Sequence, residues 1–211
     1  MDNLIYILFI SVFIPILLMA CLIEKKARLP IVFVLIGIFA SVFAAEVNGL
    51  LRDMLPISSF EITIIVTPIT EEILKALPVF VFATVLYAKK EELFTASMAV
   101  GIGFAVLENA YYLLNDSSFN MIDAVIRAFG AGLMHGMCTL LVGVGISFVK
   151  KRHKVFVVGT FALLSTAITY HGIYNMLVQS DYDVIGFLLP IATYIPFVAW
   201  RIKKKMKAKI K

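Results

Sequence analysis

Charged residues are scarce in this sequence of 211 amino acids, making up 16% of it, while 61% of the residues are hydrophobic. Soluble domains have about a quarter charged residues, so the composition excludes a soluble domain. Cysteine is nearly absent, and both Cys21 and Cys138 fall within apolar runs, which excludes a disulfide framework. No internal repeat or low-complexity linker divides the chain. We therefore expect residues 1–211 to form a single polytopic membrane domain.

Long apolar stretches account for most of the chain. A bilayer core about 30 Å thick requires roughly 20 mostly apolar residues per helix. We expect an all-α protein with about seven transmembrane helices, the third of them bent by Pro68 and Pro78. No basic residue precedes the first stretch, which favours a retained helix over a signal peptide. The predicted stretches are 4–23, 30–51, 61–88, 93–114, 121–149, 155–178 and 184–200.

The distribution of Lys and Arg predicts the orientation of these helices. Short cytoplasmic loops carry an excess of basic residues, and sixteen of the nineteen basic residues lie on alternate connections, at 25–28, 89–90, 150–154 and 201–211. We therefore expect the N-terminus outside and the C-terminus in the cytoplasm. The net charge of +5 then comes from loops and a basic tail that face anionic lipid, with no nucleic acid as partner.

Ionisable residues inside the predicted helices are the clearest indication of function, because each costs about 3 kcal/mol to insert near the bilayer centre. In the predicted orientation, Glu71 lies ten residues into its helix, and Glu108 and His171 lie about seven residues from the outer ends of theirs. This places a polar cluster in the outer half of the bilayer. The polar set comprises Glu46, Glu71, Glu72, Lys75, Glu108, Arg127, His135 and His171, with Asn109 and Asn175.

Helical spacing predicts two local arrangements within this cluster. Lys75 is four residues from Glu71 and three from Glu72, so its ammonium can reach either carboxylate. The fifth stretch carries small residues at four-residue intervals, a pattern that lets helices approach closely and that places His135 beside such a contact. This small-residue ridge consists of Ala124, Ala128, Gly132 and Gly136.

The charges of the cluster do not balance in the sequence. Four glutamates face only Lys75 and Arg127, which leaves a net charge of −2. A proton on a carboxylate, a protonated histidine or a bound metal would relieve this charge. We expect protonation and no metal or other cofactor, because the sequence has no HExxH motif, and we keep zinc held by glutamate and histidine as the alternative.

Four short motifs follow one another over residues 61–178. They are EExxK at Glu71–Lys75, FxxxEN from Phe104 to Asn109, His135 with flanking Met and Gly, and HxxxN from His171 to Asn175. In this order they resemble the PrsW family of bacterial membrane proteases, distant relatives of the CAAX-processing and bacteriocin-immunity membrane proteases. The CAAX enzymes typically carry EExxxR and FxxxH, so Glu108 stands here in place of a histidine.

The resemblance implies a glutamate-dependent, membrane-embedded endopeptidase in the bacterial cell membrane. Its substrate would be a single-span anti-sigma factor, whose site-1 cleavage activates an extracytoplasmic-function sigma factor under envelope or antimicrobial-peptide stress. The residues alone leave open a small transporter or channel with a polar site in the outer leaflet. A non-catalytic immunity or scaffold protein on the same fold is a further alternative.

The resemblance also implies roles for individual residues. Glu71 or Glu72 would be the general base, and His171 and Asn175 would steady the oxyanion, which is usually the largest contribution in acyl transfer. Glu108 replaces a histidine that would help orient the attacking water, and His135 would take that role. Three further residues would support the site by electrostatics and packing: Lys75, Asn109 and Phe104.

The orientation of the helices leads to a prediction for reporter fusions. Alkaline phosphatase, which is active only outside the cytoplasm, should be active when fused after Ser118 and inactive when fused after Lys90, because the basic residues favour the cytoplasm. Enzyme activity in whole cells measures this. The reverse pattern would contradict both the orientation and the outer-leaflet position of the polar cluster.

Overall fold

A computed structural model of the chain describes residues 4–22, 25–86, 88–115, 121–148 and 153–209. All regular structure in these ranges is helical, which confirms the predicted all-α class. A π-helical turn, Ile62–Val66, joins α3 directly to α4. The helices are α1 (Leu4–Leu22), α2 (Lys25–Met54), α3 (Ser59–Glu61), α4 (Thr67–Thr84), α5 (Lys90–Asn115), α6 (Met121–Ile146), α7 (His153–Val178) and α8 (Asp183–Lys209).

Five helices among the described residues, α1, α2, α5, α6 and α7, are long and apolar enough to cross a membrane. This supports the predicted multi-pass membrane protein. The segment containing α4 carries two glutamates and a lysine, and the apolar part of α8 is the shorter stretch Asp183–Pro196. The count of seven spans and their orientation therefore remain predictions. Parts of the predicted loops at 116–120 and 149–152, and the tail residues 210 and 211, lie outside the described ranges.

The chain enters the segment containing α4 through a capping box. Ser58 Oγ accepts a hydrogen bond from the Glu61 backbone N–H at 3.2 Å, and the Glu61 carboxylate accepts one from the Ser58 N–H at 2.9 Å. Hydrogen bonds from the Ser58 hydroxyl and N–H also lower the pKa of the exposed Glu61 carboxyl. The first predicted bend, at Pro68, coincides with the end of the π-helical turn, whereas α4 continues through Pro78.

The helix α5 is the centre of the bundle, with α2 packed on one side and α6 on the other. Glycines make the contact with α2 close. A Cβ atom built on Gly37 would lie 2.1 Å from the Val100 carbonyl oxygen, and one on Gly103 would lie 2.1 Å from the Val34 carbonyl oxygen. Any side chain at either position would push the two backbones apart. The close α2–α5 contact therefore fixes where α5 presents its polar residues.

The helix α6 approaches α5 through a glycine of α5, and the small-residue ridge contributes little. A Cβ atom on Gly101 would lie 2.3 Å from the His135 carbonyl oxygen. In the ridge, Ala128 is exposed, and no described atom lies within 4 Å of a Cβ built on Gly132. The predicted packing of the ridge was therefore wrong at Ala128 and Gly132, because residues spaced by four drift about 40° around a helix at each step.

The glycine contacts predict a difference between two substitutions in the same helix. Gly37→Ala should lower the free energy of unfolding by about 1–3 kcal/mol, because the new methyl group meets the α5 backbone. Gly49→Ala is the matched control, since nothing lies within 4 Å of its Cβ position and the change improves helix propensity by up to ~1 kcal/mol. Thermal unfolding in one detergent compares the two, and equal stabilities would contradict the close α2–α5 contact.

Candidate active site

Four helices supply the polar residues that the sequence analysis assigned to a site. The central side chain is Glu72 of α4, which is fully buried. Its Oε1 accepts a hydrogen bond from Lys75 Nζ at 2.6 Å and one from His171 Nδ1 at 2.9 Å. Lys75 was predicted to reach either carboxylate of the EExxK motif, and the structure pairs it with Glu72.

Lys75 also contacts two residues from neighbouring helices. Its Nζ lies 2.8 Å from His135 Nδ1 and 4.4 Å from the centroid of the Phe104 ring, a cation–π contact. An ammonium group only donates hydrogen bonds, so His135 Nδ1 must accept. The neutral imidazole then carries its proton on Nε2, which lies 2.6 Å from Glu108 Oε2 and donates to it. These contacts determine the tautomer of His135.

The network continues from Glu108 to a partly exposed edge. Arg127 Nη2 lies 3.8 Å from Glu108 Oε1, and the Arg127 guanidinium stacks 3.9 Å from the centroid of the Tyr112 ring. Sequence reasoning overlooked Tyr112, although it lies four residues after Glu108 and therefore on the same helical face. We call the connected residues the polar chain: Arg127, Glu108, His135, Lys75, Glu72 and His171.

Glu71 lies beside His171, the last residue of the polar chain, but is not hydrogen-bonded to it. Its Oε2 is buried and has no hydrogen-bond partner among the described residues. This oxygen lies 3.8 Å from His171 Nε2, a separation that is too long for a hydrogen bond. Because His171 Nδ1 donates its proton to Glu72, Nε2 of the neutral ring has a free lone pair. Two acceptor atoms therefore face each other across a gap of 3.8 Å, and a donor or a cation bound there would satisfy both.

Three residues around this gap have the composition of a metal site. Glu71, His135 and His171 each offer one ligand atom, and these atoms lie within 4.8 Å of one another. Glutamate and histidine are common zinc ligands, and the bond from Glu72 to His171 is the kind that orients a ligating imidazole. Glu71 Oε2 and His171 Nε2 are ready to ligate. His135 would first have to release Lys75 or Glu108, so the set fits a metal after one rearrangement.

The structure reduces the charge imbalance expected from the sequence. Glu46 accepts a hydrogen bond from the Tyr6 hydroxyl of α1, which separates it from the predicted cluster. Three carboxylates then remain against Lys75 and Arg127, with one negative charge in excess. A single proton shared by the cluster would balance it, whereas a divalent cation would leave one positive charge in excess, which lessens the need for metal that the sequence count suggested.

The two asparagines of the predicted site bond to backbone carbonyls. Asn109 Nδ2 donates to the Arg127 carbonyl oxygen at 3.4 Å and so links α5 to α6. Asn175 Nδ2 donates to the Thr63 carbonyl oxygen at 3.0 Å and links α7 to the π-helical turn. The structure thus gives both amides a role in joining helices, whether or not either also contacts a substrate.

Comparison with known proteins adds one match. The model of a family described as PrsW family intramembrane metalloprotease matches residues 25–201, which includes every residue of the polar chain. No curated protein and no solved structure matches the chain significantly.

Proposed function

The chain belongs to the PrsW family of intramembrane metalloproteases and is therefore a membrane peptidase, and we propose that it hydrolyses a membrane-spanning protein at the gap between Glu71 and His171. The observation that carries this proposal is the buried, unpartnered Glu71 Oε2 opposite the lone pair of His171 Nε2. A buried carboxylate oxygen without a hydrogen-bond partner is destabilising, and such groups are usually found where they have a function.

Glu71 acts as the general base in this proposal. A water molecule that donates one hydrogen to Glu71 Oε2 and the other to His171 Nε2 has its oxygen lone pairs directed away from both. Its oxygen bonds to the substrate carbonyl carbon, Glu71 accepts its proton, and the C–N bond breaks as that proton passes to the leaving amine. Glu72 also has an unpartnered Oε2, but it is the less suitable base because its Oε1 is paired with the Lys75 ammonium and holds His171.

We propose a role for His171 that differs from the one the resemblance implied. An oxyanion must receive a proton or a hydrogen bond, yet neutral His171 donates its only N–H to Glu72. We therefore assign His171 to the attacking water. His135, held between Lys75 and Glu108, supports this arrangement through Lys75, which bonds both His135 and Glu72.

A metal is the competing way to activate the water, and the family's description as metalloproteases favours it. Glu71, His135 and His171 would hold the ion, which would polarise the carbonyl and make a bound water more nucleophilic near neutral pH. Metal-independent catalysis is the proposal we retain, since both ring nitrogens of His135 are engaged by Lys75 and Glu108.

The substrate we propose is a single-span anti-sigma factor in the bacterial cell membrane, cut on the extracytoplasmic side so that an extracytoplasmic-function sigma factor is released under envelope or antimicrobial-peptide stress. Two observations support it. The four motifs are those of the family resemblance, and the basic connections favour a site in the outer half of the bilayer. A transporter or channel is not favoured once the family is assigned.

The role of Glu71 is tested by co-expression with candidate anti-sigma factors. Glu71→Gln should reduce cleavage by about 100-fold or more, because the amide cannot accept the proton of the attacking water. Blotting for the shortened substrate measures this. Glu46→Gln is the matched control, since Glu46 bonds to Tyr6 and should leave cleavage intact. Full activity of Glu71→Gln with normal accumulation would transfer the base to Glu72 or exclude this mechanism.

Chelation distinguishes the two ways of activating water. The purified enzyme should retain its activity after treatment with a strong chelator and should contain well below one equivalent of metal, because a carboxylate alone can accept the proton. Elemental analysis and peptide cleavage measure these quantities. Stoichiometric zinc, with activity that the chelator abolishes and added zinc restores, would instead establish Glu71, His135 and His171 as ligands.

A further inference from the structure

The π-helical turn before α4, together with Pro68, leaves the Thr63 carbonyl without a donor in either the α or the π pattern. In this turn the Thr67 N–H donates to the Ile62 carbonyl, five residues back. In an α-helix it would donate to the Thr63 carbonyl, four residues back, which therefore loses this donor. The next donor in the π pattern for the Thr63 carbonyl would be the N–H of residue 68. Residue 68 is proline, which has no N–H. Thr63 is partly buried, and a backbone carbonyl withdrawn from water needs another partner.

Asn175 supplies that partner from α7. Its Nδ2 donates to the Thr63 carbonyl oxygen at 3.0 Å. Gly172, one turn earlier on the same face of α7, makes the approach possible, because a Cβ atom there would lie 2.6 Å from the Ile64 carbonyl oxygen. The HxxxN motif thus brings α7 against the π-helical turn at two positions, Gly172 and Asn175. The first residue of the motif, His171, contacts the carboxylates of α4.

We propose that Asn175 is a positioning residue: by completing the hydrogen bonding of the π-helical turn at Thr63, it fixes the rotation of α4 and holds Glu71 opposite His171. A π-helical turn contains one more residue than an α-helical turn, and one residue corresponds to about 100° of helix rotation. Loss of the turn would therefore rotate Glu71 and Glu72 relative to α7. This inference rests on the proposed function of the Glu71–His171 pair.

The alternative is that Asn175 donates directly to the oxyanion, as the resemblance implies. A primary amide has two N–H groups, so the bond to Thr63 leaves one of them available. The two roles differ in what they require of the substrate-free protein. Positioning requires the Asn175 amide at all times, whereas oxyanion stabilisation requires it only during the reaction.

Hydrogen exchange of the substrate-free protein in detergent tests the proposal without any cleavage assay. Asn175→Ala should accelerate exchange of the backbone amides in residues 62–70, because the turn loses its tie to α7. Gln179→Ala is the matched control: its exposed amide also bonds a backbone carbonyl, that of Asn175, but does not touch the turn. Exchange that is the same in Asn175→Ala and the wild-type protein would overturn the proposal.

A second-site substitution provides the decisive activity measurement. Asn175→Ala should lose activity by about tenfold or more, since misplacement of a reacting group by ~1 Å can cost up to about 100-fold. In Pro68→Ala/Asn175→Ala, the new N–H at residue 68 can bond the Thr63 carbonyl in place of the missing amide, and activity should recover by about tenfold relative to Asn175→Ala. No recovery, or full activity of Asn175→Ala itself, would overturn the proposal.

The two experiments separate failure of this inference from failure of the proposed function. If Glu71→Gln remains active, the assigned base is wrong, yet the exchange experiment still reports whether Asn175 holds the turn. If Glu71→Gln is inactive and Pro68→Ala/Asn175→Ala does not recover, the base is correct and Asn175 acts in some other way, with direct donation to the oxyanion as the remaining explanation.

Discussion

The buried ion pair between Lys75 and Glu72 is the interaction on which the rest of the site depends. Both side chains are fully inaccessible, and their charged atoms lie 2.6 Å apart. Removing either partner would leave an uncompensated charge, at a cost of about 3–5 kcal/mol. The pair also orients two imidazoles, since Lys75 bonds His135 and Glu72 bonds His171. One ion pair therefore determines the tautomers of both histidines and, through them, which atoms remain free to react.

The consequence is a division of labour between two adjacent carboxylates. Glu72 and Glu71 are neighbours in the chain, and each has a buried Oε2 without a hydrogen-bond partner. They differ in that Glu72 Oε1 binds a cation and an imidazole, whereas Glu71 Oε2 lies opposite His171 Nε2. Neighbouring residues of a helix point about 100° apart, so they meet different surroundings. Glu72 faces Lys75, one turn along the same helix, and Glu71 faces His171 Nε2 across the gap. In the proposed mechanism Glu71 therefore carries out the chemistry, while its neighbour Glu72 holds Lys75 and His171 in place.

Much of this arrangement could be predicted from the sequence. Apolar length predicts the long helices, and the cost of burying charge predicts that Glu71, Lys75, His135 and His171 must meet. Other features depend on tertiary contacts that no local pattern encodes. Glu46 has a predicted depth similar to that of the cluster but meets Tyr6 of α1, and predicted depth alone cannot distinguish the two partners. The span count also stayed open, because the two glutamates and the lysine of α4 reduce its apolar signal.

The π-helical turn is another feature that the local sequence does not determine. Pro68 marks an interruption in the sequence, but a proline is compatible with a kink, a helix start or a π turn. Only the contact with Asn175, more than a hundred residues away, selects one of these. The small-residue ridge failed for a related reason, because a four-residue repeat does not show which neighbour its face will meet. The periodicity of the sequence therefore identifies the helices, while contacts with neighbouring helices determine their local geometry and packing.

The order of the helices along the chain also determines when the enzyme becomes competent during its synthesis. A ribosome that has completed α1 to α6 has already made Glu71, Glu72, Lys75 and His135, but the second acceptor of the gap belongs to α7. Until α7 is inserted, Glu72 lacks one of its two donors and no water can be held between Glu71 and His171. If hydrolysis takes place at this gap, as proposed, a nascent chain that ends after α6 lacks the His171 half of the site. Hydrolysis would then begin only after α7 has been inserted, so biosynthesis itself would delay the appearance of a protease in the membrane.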